Sequence, residues 1–253
     1  IREFAKMNEI KPTMSIGVPK PLVDGPEKVT GKARYSADYI PSDCLVGRIF
    51  RSPVSHAEIQ EVDISDALSL PGVKAVITGD ETDEPYGVLP IARFEYPMAR
   101  GKVRYKGEPV ACVAAVDVKT AQKAIDLIKF KYRELPAYYT SQDAMAEGTV
   151  NLHDHREGNV ERDVDFDLGD TDNGLAEADL IMEEKYNCAE IAQVQSEPHA
   201  AIVEYDSTRE FLTVHASTQV PYYVHKMLAK VLKMNESQIR MIKPFVGGGF
   251  GCR

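Results

Sequence analysis

The sequence closes on KPFVGGGFGCR (243–253), where three consecutive glycines, Phe250 and a fourth glycine follow an apolar stretch. Glycine reaches positive φ and lets another group approach the main chain closely. After a strand, such a run is either a ligand-cradling turn or a slack tail. No Lys-Ser/Thr pair completes a P-loop. Counting from Gly247, the sixth position is Cys252, so the dinucleotide fingerprint G-x-G-x-x-G fails as well. The remaining chemistry is backbone N–H donation to an anionic or oxo-bearing group, with Phe250 offering a ring edge or face to a planar substrate.

A second candidate is STQVPYY (217–223). Gln219 stands between a strand-like run and a helix opening at Pro221. An amide at such a junction either projects into a cleft or caps nearby main chain. In SEPHA (196–200), Glu197 and His199 suit acid–base work or an exposed turn equally. His153 and His155 flank Asp154, but with no further placed ligand a solvated loop is the simpler reading. The four cysteines, Cys44, Cys112, Cys188 and Cys252, lie 68, 76 and 64 residues apart. Iron–sulfur and zinc sites use clustered thiolates, so buried free thiols in a reducing compartment are expected instead.

The elements that must position these residues read as α+β. Strands are expected at 44–52 and 73–79, and two more within 103–117 about a turn at Lys106–Gly107. A helix is expected over 119–132, with Ala121, Ala124, Ile125 and Ile128 on one face. Residues 175–199 read as a long extended segment leading into strands at 200–205 and 211–218, paired across DSTRE. Then come a helix over 221–235, with a buried stripe of Val224, Met227, Leu228, Val231 and Leu232 and a stop at Asn235, and a strand over 238–246. This β–α–β unit brings Gln219 and the glycines to one sheet edge, where α/β sheets bind ligands. A net charge of −9 without a Lys/Arg cluster argues against nucleic-acid or anionic-membrane binding. There is no run of about 20 apolar residues and no apolar leader, so no membrane span is expected, and the free thiols make a cytoplasmic location the expectation.

Taken with GKARYSADY, VGRIFRSPVSHAEI and KVRYKGEPVACV, the STQVPYY and GGGFG stretches resemble the large molybdenum-binding subunit of the xanthine dehydrogenase family. The similarity spans roughly 16–253 and includes the 31-residue separation of Gln219 and Phe250. Residues 1–20, polar and interrupted by prolines, read as an extended arm, and the charged, aperiodic stretch 138–172 reads as a surface linker; the resemblance implies a hammerhead-like α/β domain at 21–137 and an incomplete molybdopterin-binding α+β domain at 173–253. It implies that Gln219 hydrogen-bonds an oxo group of molybdenum, and that Gly249, Phe250 and Gly251 line the metal and its pterin. No catalytic residue and no direct metal ligand is implied within the chain; a glutamate base is expected beyond Arg253. Cys252 stands where many relatives carry Gly or Ala.

The implied cofactor is molybdenum-molybdopterin cytosine dinucleotide, shared with the remaining part of the molybdenum subunit. Iron–sulfur clusters and FAD are expected on partner subunits, in a dimer of heterotrimers. PLVDGPEKVTGKARY, GVLPIARFEYPMARGKVRYKGEPVA and TQVPYYVHKMLAKVL are most similar to the 4-hydroxybenzoyl-CoA reductase branch. That branch implies removal of a phenolic hydroxyl from an aromatic CoA thioester with ferredoxin electrons. The alternatives are a hydroxylase of xanthine, aldehyde or N-heterocycle type, and a non-catalytic scaffold docking iron–sulfur and flavin subunits.

Overall fold

Three small sheets and the helices laid on them form the framework. The computed structural model describes residues 17–89, 93–156, 158–166 and 168–253, so most of the 1–20 arm lies outside the described residues. Strands β1 (Val46–Arg51), β3 (Val73–Thr78) and β5 (Pro109–Ala115) make one antiparallel sheet in the order β1-β5-β3. Helices α1 (Ser65–Ser69) and α2 (Val118–Leu127) pack on it. Their contact is built from Ala67, Ala121 and Ala124 against Val76, Ala111, Val113 and Ala115, small side chains that let helix and sheet approach closely. Asp117 caps α2 by accepting the Thr120 N–H, as the helix N-terminus requires.

The second sheet has the order β4-β2-β6, with β2 spanning Ala57–Asp63, β4 Lys102–Val103 and β6 Lys129–Glu134. Here the sequence expectation needs correction: α2 ends at Leu127, and 129–134 is a strand rather than the tail of the helix. Ile128 turns to extended backbone, and the following Phe130 and Tyr132 share one face of β6, where Phe130 packs on the Phe50 ring at 5.9 Å. Strand β2 escaped sequence reading because Glu58 and Glu61 interrupt its apolar pattern. Across the ladder they meet Arg133 and Lys131, each at 2.5 Å. Such exposed pairs contribute little; the sheet is held by Ala57, Ala99, Val103 and Val110 beneath it. Gly107, at φ +93°, makes the turn between β4 and β5.

Residues 138–161, inside the stretch expected to be a linker, lie against this second sheet. Lys102 reaches Asp154 at 2.7 Å, and Asn159 accepts the Leu152 N–H while donating to the Ala144 carbonyl.

The third sheet carries the expected β–α–β unit. Strands β7 (Ala201–Asp206) and β8 (Phe211–Ala216) pair antiparallel, and β9 (Ile239–Ile242) joins β8 in parallel after the crossover helix α3 (Pro221–Val231). Its core is Leu212, Val214, Ala229 and Ile239. The helix stops at Val231, short of Asn235, because Lys233 takes positive φ (54°). Leu232, expected on the buried stripe, is consequently exposed. Tyr35 bridges to Phe245 and the Tyr39 ring lies 5.1 Å from that of His215, so residues 35–39 pack on this sheet. Residues 179–196 carry no helix or strand, and Leu180, Met182, Tyr186, Ile191 and Val194 are all exposed there. Among the described residues no helix is long and apolar enough to cross a membrane.

Candidate functional site: a glycine loop clamped by Glu197 and faced by Gln219

Strand β9 leads through Phe245 into the glycine run, while β8 leads through Ser217 and Thr218 to Gln219. Because β8 and β9 are parallel neighbours, both loops emerge at the same end of the sheet. Gln219 and the glycines are therefore in contact. The Gly251 N–H donates to Gln219 Oε1 at 3.0 Å, and the Gln219 N–H reaches the Arg253 carbonyl at 3.3 Å. Close approach explains the glycine at 249: a Cβ there would stand 2.4 Å from the Gln219 amide carbon. Positive φ explains the one at 251 (+86°). Phe250 itself adopts φ +54° and is 71% exposed, with its ring edge over Gly248.

As the capping alternative expects, the Gln219 side chain bonds main chain, although across to the other loop rather than beside its own strand. Thr218 Oγ1 takes the Val220 N–H at 3.2 Å, and Gln219 reaches across to the other loop. With Oε1 held by Gly251, Nε2 of the same amide has no acceptor among the described residues. The N–H groups of Gly248, Gly249 and Phe250 likewise have none there. The two contacting loops thus carry four uncharged N–H-bearing groups without acceptors among the described residues, a chemistry that suits an oxo-bearing or anionic group.

What holds the loop in this shape is Glu197, weighed from sequence as an acid–base residue or an exposed turn. Its Oε2 accepts from the Gly247 N–H at 2.7 Å, from the Ser217 hydroxyl at 2.8 Å and from Arg253 Nη1 at 2.5 Å. Arg253 also donates to Ser217 Oγ and to the Glu197 carbonyl. The Arg253 side chain is fully buried and that of Glu197 is 10% exposed. Burial opposes charge on Glu197, but the Gly247 N–H, the Ser217 hydroxyl and Arg253 together outweigh it and hold the carboxyl below its ordinary value. An ionised, triply bonded carboxylate is a clamp, not a proton shuttle. Its role was not legible because its partners stand 20, 50 and 56 residues away. His199 is structural too, its Nε2 donating to the Cys252 carbonyl at 2.9 Å. Cys252 turns its thiol inward, to the Gly249 carbonyl at 2.9 Å and Gln195 Oε1 at 3.3 Å.

The other sequence candidates lie apart from this loop. Asp154 is engaged by Lys102, and the His155 ring packs on Phe94 at 4.0 Å, tilted by 41°. No group of three His, Cys, Asp or Glu placed to hold a metal occurs among the described residues.

Residues 30–136 match the a/b hammerhead domain of aldehyde oxidase and xanthine dehydrogenase, and residues 152–253 match the molybdopterin cofactor-binding domain. The chain belongs to the xanthine dehydrogenase family of molybdopterin-binding subunits. It is 33% identical over 243 residues to the nicotinate dehydrogenase large molybdopterin subunit of Eubacterium barkeri, covering 93% of this chain and 55% of that protein. It is 32% identical over 241 residues to a putative xanthine dehydrogenase molybdenum-binding subunit of Escherichia coli K12, covering 90% and 31%. Among solved structures, quinoline 2-oxidoreductase from Pseudomonas putida 86 superposes with a TM-score of 0.83 at 31% identity, covering 95% of this chain and 31% of that one. The aldehyde oxidoreductase of Desulfovibrio gigas gives 0.79 at 26% identity, covering 98% and 30%. The chain thus spans between about a third and about half of the length of these relatives. The expected fold, a hammerhead domain followed by molybdopterin-binding structure, is the observed one.

Proposed function

We propose that this chain forms part of a molybdenum-cofactor oxidoreductase that hydroxylates an N-heteroaromatic compound or an aldehyde. The observation that carries the proposal is the pinned amide of Gln219. Its Oε1 is held by the Gly251 N–H, which leaves Nε2 free to donate from the same pair of loops as the unpartnered N–H groups of Gly248, Gly249 and Phe250. The molybdenum centre, when bound, supplies the redox chemistry. This chain's residues would hold and orient that group: Gln219 Nε2 would donate to an oxo ligand, Gly249 and Gly251 would admit the pterin to the backbone, and Phe250 would bound the slot for a flat substrate. Donors without charge suit an oxo group, which a carboxylate at position 219 would repel. The glutamate base belongs to the remaining part of the subunit.

The substrate class follows the named relatives, which are nicotinate, xanthine, quinoline and aldehyde enzymes. None of these is a 4-hydroxybenzoyl-CoA reductase, so oxidative hydroxylation takes precedence over reductive dehydroxylation. We further assign to the assembly the cytosine dinucleotide form of the cofactor, iron–sulfur and FAD partner subunits, a dimer-of-heterotrimers arrangement and a cytoplasmic location. We also retain the domain division at 138–172. The test is turnover by the complete, molybdenum-replete complex. Oxidation of nicotinate, xanthine, quinoline or an aldehyde with a dye acceptor supports the proposal. Reduction of 4-hydroxybenzoyl-CoA by a low-potential donor, with no oxidation of the others, overturns it. A complex without molybdenum would instead be the non-catalytic scaffold.

A further inference from the structure

A cleft of about 630 Å³ opens between the second sheet and residues 138–161, and it shares no residue with the glycine loop. Its floor is set by strand register. Ala57 pairs with Val103, so the next residues out, His56 and Arg104, stand opposite each other on the other face. Both line the cleft. His56 is 2% exposed and donates Nδ1–H to the Pro136 carbonyl at 2.6 Å, while its Nε2 is buried without a partner. Arg104 donates through Nη1 to the Lys102 carbonyl at 3.1 Å, and its Nε is likewise buried without a partner. Two neighbouring buried nitrogens left unsatisfied are costly, and here both belong to one cavity.

The walls describe the occupant. The Phe94 ring packs at a tilt on His155, and the exposed Tyr105 and Tyr139 line the same cleft, which suits a flat aromatic body. Arg104, Lys106 and Arg156 line the cleft against Glu95 and Glu161, one cation in excess. Arg156 is neutralised by Glu161 at 2.7 and 2.9 Å, but Lys106 has no acidic partner among the described residues, and the Arg104–Glu108 approach is a loose 3.8 Å. Burial also raises the Glu108 carboxyl above its ordinary value, which weakens that compensation further.

We propose that this cleft is a second ligand site, separate from the glycine loop, that takes a small aromatic carboxylate. The carboxylate accepts from Arg104 Nε–H, while its ring lies against Phe94, Tyr105 and Tyr139. Lys106 attracts the anion from the mouth.

The experiment is equilibrium dialysis of benzoate against the complete complex, with cyclohexanecarboxylate and benzamide as probes lacking the ring and the charge. Arg104→Met and Arg104→Lys both remove the Nε–H at this position, and Phe94→Ala removes a wall without touching the floor. One benzoate per chain is expected beyond any held at the catalytic centre. It should weaken about tenfold or more in all three variants, while their molybdenum content and turnover stay at wild-type values. Both control probes should bind at least about tenfold more weakly than benzoate. The absence of saturable benzoate binding below about 10 mM, or equal binding by wild type and variants, overturns the proposal. So does equal retention of either control probe.

Discussion

Replacing Glu197 tests whether the glycine loop is held by its carboxylate. Glu197→Ala removes the acceptor shared by Gly247, Ser217 and Arg253 and leaves the Arg253 guanidinium without its counter-ion in a site where its side chain is fully buried. Breaking a buried pair from one side costs about 3–5 kcal/mol, because the remaining charge stays uncompensated. Hydrogen exchange reads that cost locally at the Gly247 amide, whose acceptor is this carboxylate. At about 1.4 kcal/mol per decade, exchange there should accelerate by roughly two to three orders of magnitude. The double replacement Glu197→Gln with Arg253→Met removes both charges and should recover most of the protection. The pH sign follows from the lowered carboxyl. Stability from a depressed acid is present above the unfolded-state value and is lost as pH falls through the folded-state value. Wild-type protection should therefore be flat above the ordinary glutamate range and decline only below it. Gly247 exchange changed less than threefold by Glu197→Ala, against the magnitude expected for a buried pair, would refute the clamp.

Two further outcomes follow from the same geometry. Gly249→Ala should displace the Gln219 amide, since the new Cβ falls 2.4 Å from its carbon; turnover should drop at least about tenfold with secondary structure intact, and a wild-type rate would contradict the contact. Cys188 is exposed whereas burial raises the Cys112 thiol, so iodoacetamide at pH 8 should label Cys188 first and Cys112 far more slowly; mass spectrometry showing the reverse order would contradict this packing.

Much of this architecture is written in local pattern. The apolar run before the glycines, the strand–Gln219–Pro221 junction and the crossover helix between them are short-range features, and together they place Gln219 beside Gly251. What is not local was not legible. The Glu197 clamp joins three segments through polar atoms, and nothing in SEPHA distinguishes a buried carboxylate from a turn. The 119–132 stretch carried helical spacing through Ile128, but Phe130 and Tyr132 also alternate, and packing on Phe50 decided for the strand. Residues 138–161 read as solvated from composition, because their anchors, Asp154 on Lys102 and Asn159 on Ala144 and Leu152, are single polar contacts.

The central claim, that Gln219 donates to a molybdenum oxo group, is tested most directly by molybdenum per subunit together with the single-turnover rate in Gln219→Ala and Gln219→Glu. Losing one neutral hydrogen bond costs about 0.5–1.5 kcal/mol, so the alanine variant should keep its metal and slow by up to about tenfold. The glutamate variant places an unpaired charge against an oxo lone pair and should be far slower or lose the metal altogether. Full metal and wild-type rates in both variants would contradict the account.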